Sequence, residues 1–332
     1  MKKPRLLVAR RVFDDTLKSL EQVFELESNQ DDRVFTPAGL AQRLADKDAA
    51  FVTGSEKVDA ALLQACPRLR MVATMFVGYN NIDVPACSAA GVLATNAPEV
   101  LSETTADLGF ALMLAAARRL SESERFLRSG QWNSWNIDLL AGFDVHGSTL
   151  GIFGMGRIGQ AIARRGVHGF GMKVVYHNRS RLEPAVEAEL GGARWVSKEE
   201  LLRSCDHLMI VVPYSVATHH AIGAAEIALM KPTATLINIA RGGVVDDAAL
   251  AQALAARTIA AAGLDVYEGE PQVHPGLLAV ENVVLAPHIG SATLATRKAM
   301  AALAAQNLCA VFRGQAPLTP LNADVLPLRL TP

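Results

Sequence analysis

An α/β fold of two doubly wound parallel-sheet domains is what the sequence predicts, and three observations carry that prediction. Short β-type runs alternate with runs of helical spacing. The alternation restarts after residue 147. Long helical stretches stand on either side of the second series, at 102–130 and 293–313, so the second unit reads as an insertion to whose host the chain returns. The 332 residues, 50% hydrophobic, are ample for two cores. The expected division is residues 1–100 with 290–332 for one domain and 101–289 for the other.

In the first series, "RLLVA", "AAFVTG", "LRMVATM" and "GVLATN" read as strands, and "DDTLKSLEQ", "PAGLAQRLA" and "DAALLQAC" as the helices between them. Ser102 is placed to cap the helix that follows, on which Phe110, Met113, Leu114 and Ala117 share one face, and Gly130 stops the next helix. The second series supplies strands at "STLGIFGM", "MKVVYH", "HLMIVVP", "ATLINIA", "AAGLDV" and "NVVLAPH". The proline-rich tail, 314–332, is expected to lie on a surface.

Composition narrows the function. Thirty-two basic against 33 acidic side chains leave a net charge of −1, which favours neither nucleic acid nor an anionic membrane. No run approaches the roughly 18 apolar residues of a membrane span. Cys66, Cys87, Cys205 and Cys309 are far apart and form no CxxC, as expected of reduced, buried residues in a cytoplasmic protein.

The chemistry begins at "TLGIFGMGRIGQAIARRG", where Gly154-x-Gly156-x-x-Gly159 follows an apolar strand and opens an amphipathic helix. In that setting the motif is a dinucleotide turn. Gly154 permits the bend, Gly156 admits a pyrophosphate to the backbone, and Gly159 lets helix and strand pack closely. The helix N-terminus offers free N–H groups to the phosphates. About 20 residues further on, an acidic residue normally grips the ribose hydroxyls of NAD. Here "HNRSRLE" supplies Asn178, with Arg179, Ser180 and Arg181 beside it. A carboxylate would repel a 2′-phosphate, whereas two guanidiniums can pair with one, so NADP(H) is expected to be preferred, with NAD(H) also admitted. The plainer alternative is a pair of solvated arginines in a loop.

Three more groups follow strand ends: Arg241 in "NIARGGVVDD", Glu270 before Pro271 in an extended stretch, and His288 in "NVVLAPHIGSAT". Open α/β sheets bind ligands at that edge. Singly, each is more simply a surface or turn residue; together, behind a dinucleotide loop, they suggest a catalytic set. Asp246 reads as a helix cap. His219 and His220 could suggest a metal pair, but no further ligand stands at metal spacing, so they read as loop or helix-start residues and no metal is expected. Trp132 and Trp135 suit a core, a dimer contact or a pocket wall.

The stretches "VGYNNID", "TTADLGFALML", "GIFGMGRIG", "INIARGGVVDDAAL", "AAGLDVYEGEP" and "APHIGSAT" resemble the D-2-hydroxyacid dehydrogenases over nearly the whole chain. Within that family, "TTADL", "ATHHAIGA" and "PHIGSATLATR" are most similar to the NADP-linked glyoxylate/hydroxypyruvate (2-ketogluconate) reductases. The resemblance implies a Rossmann cofactor domain inserted in a flavodoxin-like substrate domain. It implies Arg241 as binder of the substrate carboxylate or keto oxygen, His288 as acid/base, and Glu270 as the group that holds the imidazole and stabilises its protonated form. It places substrate at the N–H groups of Val77 and Gly78 and near Ser291. Thr104 and Asp265 match positions at the nicotinamide end. Coenzyme contacts are expected also from Met155, Arg157 and Ile158 in the glycine turn, from Val212, Pro213 and Thr218, and from Ile239, Ala240 and Gly290. A homodimer, closure of the domains over a small 2-keto or 2-hydroxy acid, and no nucleic-acid or membrane partner complete the expectation.

Related activities fit less well. Formate oxidation needs no proton acceptor on oxygen, and Glu270 stands where those relatives carry glutamine. Phosphite dehydrogenases have lysine in the slot of Val77. Phosphoglycerate dehydrogenases often carry a further regulatory domain. A nucleotide-sensing co-repressor of this superfamily keeps the same three residues and is separated only by turnover.

Overall fold

The computed structural model describes residues 2–328, with side chains to 325. The chain divides into two compact units, one of Met1–Leu101 with Ala292–Pro332, the other of Ser102–Ser291.

The first unit runs β1 (Arg5–Val8), α1 (Asp14–Glu21), β2 (Glu25–Ser28), α2 (Pro37–Leu44), β3 (Ala49–Val52), α3 (Ala60–Ala65), β4 (Met71–Thr74), α4 (Val84–Ala89) and β5 (Leu93–Thr95). All five strands are parallel, in the order β2-β1-β3-β4-β5. Every residue of β3 and β4 is buried, as a parallel strand covered on both faces requires. Asp59 and Asp83 cap α3 and α4 through N–H bonds from Leu62 and Ala86. Two elements escaped the sequence reading. β2 has the polar sequence ELES and lies at an edge, where no apolar face is needed. α4 is too short to show a helical period.

The second unit opens with α5 (Ser102–Ala117) and α6 (Leu120–Arg128). Ser102 is the first residue inside α5, one place beyond the capping position expected of it. Then follow β6 (Thr149–Phe153), α7 (Arg157–Phe170), β7 (Lys173–His177), α8 (Pro184–Glu189), β8 (Arg194–Trp195), α9 (Lys198–Ser204), β9 (His207–Ile210), α10 (Ala224–Ile227), β10 (Thr235–Asn238), α11 (Asp247–Ala255), β11 (Ala261–Leu264), α12 (Pro275–Ala279) and β12 (Val283–Leu285). The sheet order is β12-β11-β10-β9-β6-β7-β8, so the winding reverses between β6 and β9. That is the doubly wound dinucleotide topology, extended by one strand. Its core has two layers. Ala106, Phe110 and Met113 of α5 join Ala161 and Ile162 of α7 on one face, and Leu201, Leu250 and Leu254 cover the other. β8, two exposed residues at the far edge, also escaped the sequence reading.

The chain returns to the first unit as α13 (Leu294–Phe312), which packs on α1, β3 and β4, with the Phe312 ring 4.9 Å from that of Phe24. The tail beyond it does not simply lie on a surface. Asn322 is buried: its amide oxygen accepts from Ala94 N–H at 2.8 Å, and its NH₂ donates to the Val92 carbonyl at 2.9 Å. The side chain thus satisfies the edge that β5 would otherwise leave open. The last part of the expected surface tail, 329–332, lies outside the described residues. All four cysteines are free and buried, and burial pushes the Cys205 thiol up to about 12.

Asn322→Ala is expected to cost about 2–4 kcal/mol, because it strips partners from backbone groups inside the first unit. Guanidinium unfolding of variant and parent checks this, and a loss below about 0.5 kcal/mol contradicts it.

Candidate active site

The site is built where β6, β10, β11 and β12 end, the edge that open parallel sheets use for ligands. At the end of β6 the chain turns through Gly154 at φ 107°, a conformation that side chains rarely adopt. A Cβ there would lie 2.8 Å from the Val211–Val212 backbone, and one on Gly159 would lie 2.3 Å from the Gly154 carbonyl oxygen. A Cβ on Gly156 would meet nothing within 4 Å. Gly154 and Gly159 are therefore required by packing, whereas Gly156 leaves open space at the start of α7. Gly156 supplies no side-chain cap to that helix, so its first N–H groups face that space. Met155 is buried in the core and can offer only its backbone, while Arg157 and Ile158 begin α7. These features fit a dinucleotide pyrophosphate.

Past β7, Asn178 is half-buried and its carbonyl accepts from the Trp195 indole at 3.1 Å. Arg179 and Ser180 are exposed. Arg181, exposed as well, already has a partner within the chain. It grips buried Glu187 with Nε and Nη2, at 2.9 and 2.7 Å, and Glu187 also takes the Tyr176 hydroxyl at 2.7 Å. The carboxylate comes from α8, six residues on, and Arg181 stays exposed while it holds it. Burial and this bond push the Tyr176 hydroxyl up to about 12.

The three expected catalytic groups all lie in the second unit. Arg241 follows β10, half-buried, with Nη1 donating to its neighbour Ala240 at 2.7 Å. Burial draws its guanidinium down, against the opposing charges of Glu270 and Asp265. Next to it, Gly242 fits so closely that a Cβ would lie 1.7 Å from the Tyr267 carbonyl oxygen. Glu270 sits in a turn, 268–271, rather than in an extended run; Gly269 at φ 81° makes the reversal. One carboxylate oxygen of Glu270 accepts from Tyr267 N–H at 2.9 Å, and the other meets His288 Nδ1 at 2.7 Å. Burial alone would push this carboxyl up. The bonds from His288 and Tyr267, with the nearby charges of His288 and Arg241, outweigh it and hold the group below its ordinary value.

His288 lies just past β12 with φ 54°, a left-handed position that costs about 1–3 kcal/mol and needs support. The support is Asp265. Its two oxygens accept from Ile289 and Gly290 N–H, each at 2.7 Å, which fixes the chain on the C-terminal side of the imidazole. Burial pushes the Asp265 carboxyl up, partly countered by those two bonds. With a carboxylate on Nδ1, that nitrogen carries the proton in the neutral ring, which leaves Nε2 unprotonated.

A profile described as "D-isomer specific 2-hydroxyacid dehydrogenase, NAD binding domain" matches residues 110–290. The chain is 46% identical over 331 residues to a glyoxylate reductase of Thermococcus onnurineus, covering 98% of each. It is 44% identical, with the same coverage, to a glyoxylate reductase of Pyrococcus horikoshii. The chain belongs to the D-isomer-specific 2-hydroxyacid dehydrogenase family. It is an NAD(P)-dependent oxidoreductase. Among solved structures, it is similar to the NADPH-dependent glyoxylate/hydroxypyruvate reductase of Sinorhizobium meliloti, in complex with NADP and malonate. That likeness has a TM-score of 0.86 at 36% identity and covers 99% of each chain. A 2-hydroxyacid dehydrogenase of the same family from Polaromonas gives a TM-score of 0.89 at 38% identity, covering 96% of this chain and 99% of that one.

The other expected dehydrogenase contacts divide by environment. Ile239 and Ala240 are buried at the end of β10, and Ser291 is buried after Gly290. Val212 is half-buried and Pro213 exposed beyond β9. Thr218 uses its hydroxyl locally, accepting from Ser215 N–H and donating to the Pro213 carbonyl. Thr104 is half-buried in α5. Val77 and Gly78 belong to the first unit, after β4, where the Val77 carbonyl accepts from Asn96. Asp246 caps α11 through Ala248 and Ala249 N–H. Trp132 and Trp135 are 56% and 77% exposed, which removes them from the core. Sequence reading missed Glu187 and Asp247. Asp247 is buried and accepts from Glu268 N–H at 3.0 Å, bracing the turn that holds Glu270.

Glu270 is a carboxyl held below its ordinary value. Its contribution to stability is therefore present above the unfolded-state value and lost as pH falls through the folded one. The stability gap between parent and Glu270→Gln should shrink on acidification through the carboxylate range. Thermal melts across pH check this; a gap that widens in acid contradicts it.

Proposed function

We propose that this enzyme reduces small 2-keto acids to D-2-hydroxy acids, with glyoxylate and hydroxypyruvate first and 2-ketogluconate as a further substrate. NADPH is its preferred coenzyme. The observation that carries this reading is the 2.7 Å bond between Glu270 and His288 Nδ1, beside a half-buried arginine. The names of the archaeal relatives support glyoxylate, and the Sinorhizobium enzyme, solved with NADP, supports the coenzyme.

The bound coenzyme supplies the hydride. Arg241 binds the carboxylate or keto oxygen with N–H donors not spent on Ala240, and its charge draws electron density from the carbonyl carbon. His288 gives a proton from Nε2 to the carbonyl oxygen and takes it back in the reverse direction. Glu270 keeps Nδ1–H in place and balances the imidazolium charge. At the coenzyme's other end, Arg179 reads the 2′-phosphate, Asn178 faces the ribose without a repelling charge, and Arg181 shapes the turn from its bond to Glu187. We further infer a cytoplasmic homodimer. The free cysteines and the exposed Trp132, Trp135 and Ile137 support those two points. No helix among the described residues is long and apolar enough to cross a membrane.

Initial rates on glyoxylate, hydroxypyruvate and 2-ketogluconate, each with NADPH and NADH, test the proposal. Turnover with NADPH should exceed that with NADH, and Arg179→Ala should cut the gap by about 10- to 100-fold, the worth of a charged phosphate contact. Equal kcat/KM for the two coenzymes contradicts the coenzyme assignment. Nucleotide binding without turnover contradicts the enzyme reading and favours a nucleotide sensor.

His288→Gln should lower kcat by roughly 10²–10⁴, the usual contribution of a positioned acid/base, with the fold intact by circular dichroism. A folded variant with near-parental rate removes His288 from the mechanism.

A further inference from the structure

Beside the Glu270 turn, the second unit gathers another set of nitrogen and oxygen donors. His219 and His220 follow a short 3₁₀ turn, Val216–Thr218, and their rings stack with centroids 3.9 Å apart. Glu268, distant in sequence, comes up to them: its Oε2 lies 2.9 Å from His220 Nε2. One donor atom from each of the three lies within 4.8 Å of the other two. Among the described residues no other trio of histidine, cysteine or acidic groups gathers in this way. The sequence shows no third group at metal spacing beside His219 and His220; the fold brings Glu268 to them.

The surroundings hold the trio from behind. His220 Nδ1 points toward Asp246, whose Oδ2 is 3.9 Å away. His220 N–H donates to the Gly243 carbonyl at 2.7 Å, and the residue sits at φ 48°. Glu268 N–H is anchored on Asp247. The Tyr214 hydroxyl lies 3.3 Å from His219 Nδ1.

We propose that His219, His220 and Glu268 form a surface site for a divalent ion of the Zn²⁺ class. Two imidazole nitrogens and one carboxylate oxygen suit Zn²⁺, Co²⁺, Ni²⁺ or Cu²⁺, whereas Mg²⁺ and Ca²⁺ select oxygen-rich cages. Three protein donors leave a fourth position to water. Donors about 2.1 Å from a tetrahedral ion stand roughly 3.5 Å apart, so rotation of these surface side chains closes the present spread. Asp246 then plays the outer carboxylate on the far nitrogen of a metal-bound imidazole, fixing the ring with Nε2 toward the ion. The ion ties the loop after β9 to the turn that carries Glu270. The site stands apart from the hydride-transfer reading, since it needs neither coenzyme nor keto acid.

Calorimetric titration of the coenzyme-free full chain with ZnCl₂ at neutral pH, with Co²⁺ absorption as a second readout, tests it. One ion per chain should bind. His219→Ala, His220→Ala and Glu268→Gln should each weaken binding by at least about tenfold. Asp246→Asn, which keeps the helix cap, should weaken it by about tenfold. His288→Gln should leave binding unchanged. No binding by the parent, binding indifferent to these substitutions, or loss in His288→Gln, which would place the ion on the Glu270–His288 pair, each overturns the proposal. Should His220→Ala fail to fold, the exposed His219 keeps the test open.

Discussion

The hydrogen bond from His288 Nδ1 to Glu270, 2.7 Å long, is the contact on which the proposed chemistry depends. An imidazole becomes a directed proton donor only when one nitrogen is committed and the other is free. Glu270 commits Nδ1. The partners come from different strand ends, and a parallel sheet is what brings them together: β11 and β12 are neighbours, so the turns that follow them stand side by side. Each turn is then fixed by its own buried carboxylate. Asp265 holds the chain after His288, and Asp247 holds the turn before Glu270. Both carboxyls are pushed upward by burial, the expense of placing acids inside a protein to pin backbone N–H groups.

The same economy of position appears at the coenzyme turn. Gly154 and Gly159 answer to packing against the neighbouring strand end and against each other, while Gly156 keeps a space open above the helix N-terminus. Beyond β7, the Tyr176–Glu187–Arg181 cluster gives the 178–182 segment its shape. Arg179 and Arg181 both stand exposed beside Asn178, Arg181 with its guanidinium tied to Glu187.

Much of this was legible in the sequence, for physical reasons. Buried parallel strands such as "AAFV" read as continuous apolar runs, and the glycine turn has few alternatives. Arg241, Glu270 and His288 stood out because polar residues directly after such strands fall at one edge. What stayed hidden depended on contacts across the fold. β2 and β8 are edge strands whose polar residues carry no alternation. The tail looked like surface because its prolines and polar residues hide the few positions, Asn322 and Val325 among them, that are buried. Glu187 and Asp247 looked like ordinary helical acids, and Glu268 lies 48 residues from His220, beyond any spacing rule for metal ligands.

The central claim is that Glu270 fixes the proton of neutral His288 on Nδ1. Nitrogen-15 NMR of the imidazole in the coenzyme-free protein, above the pH of ring protonation, tests this most directly. The account predicts the Nδ1–H tautomer in the parent protein and a mixed or reversed population in Glu270→Ala. A parent protein carrying its proton on Nε2 would contradict it.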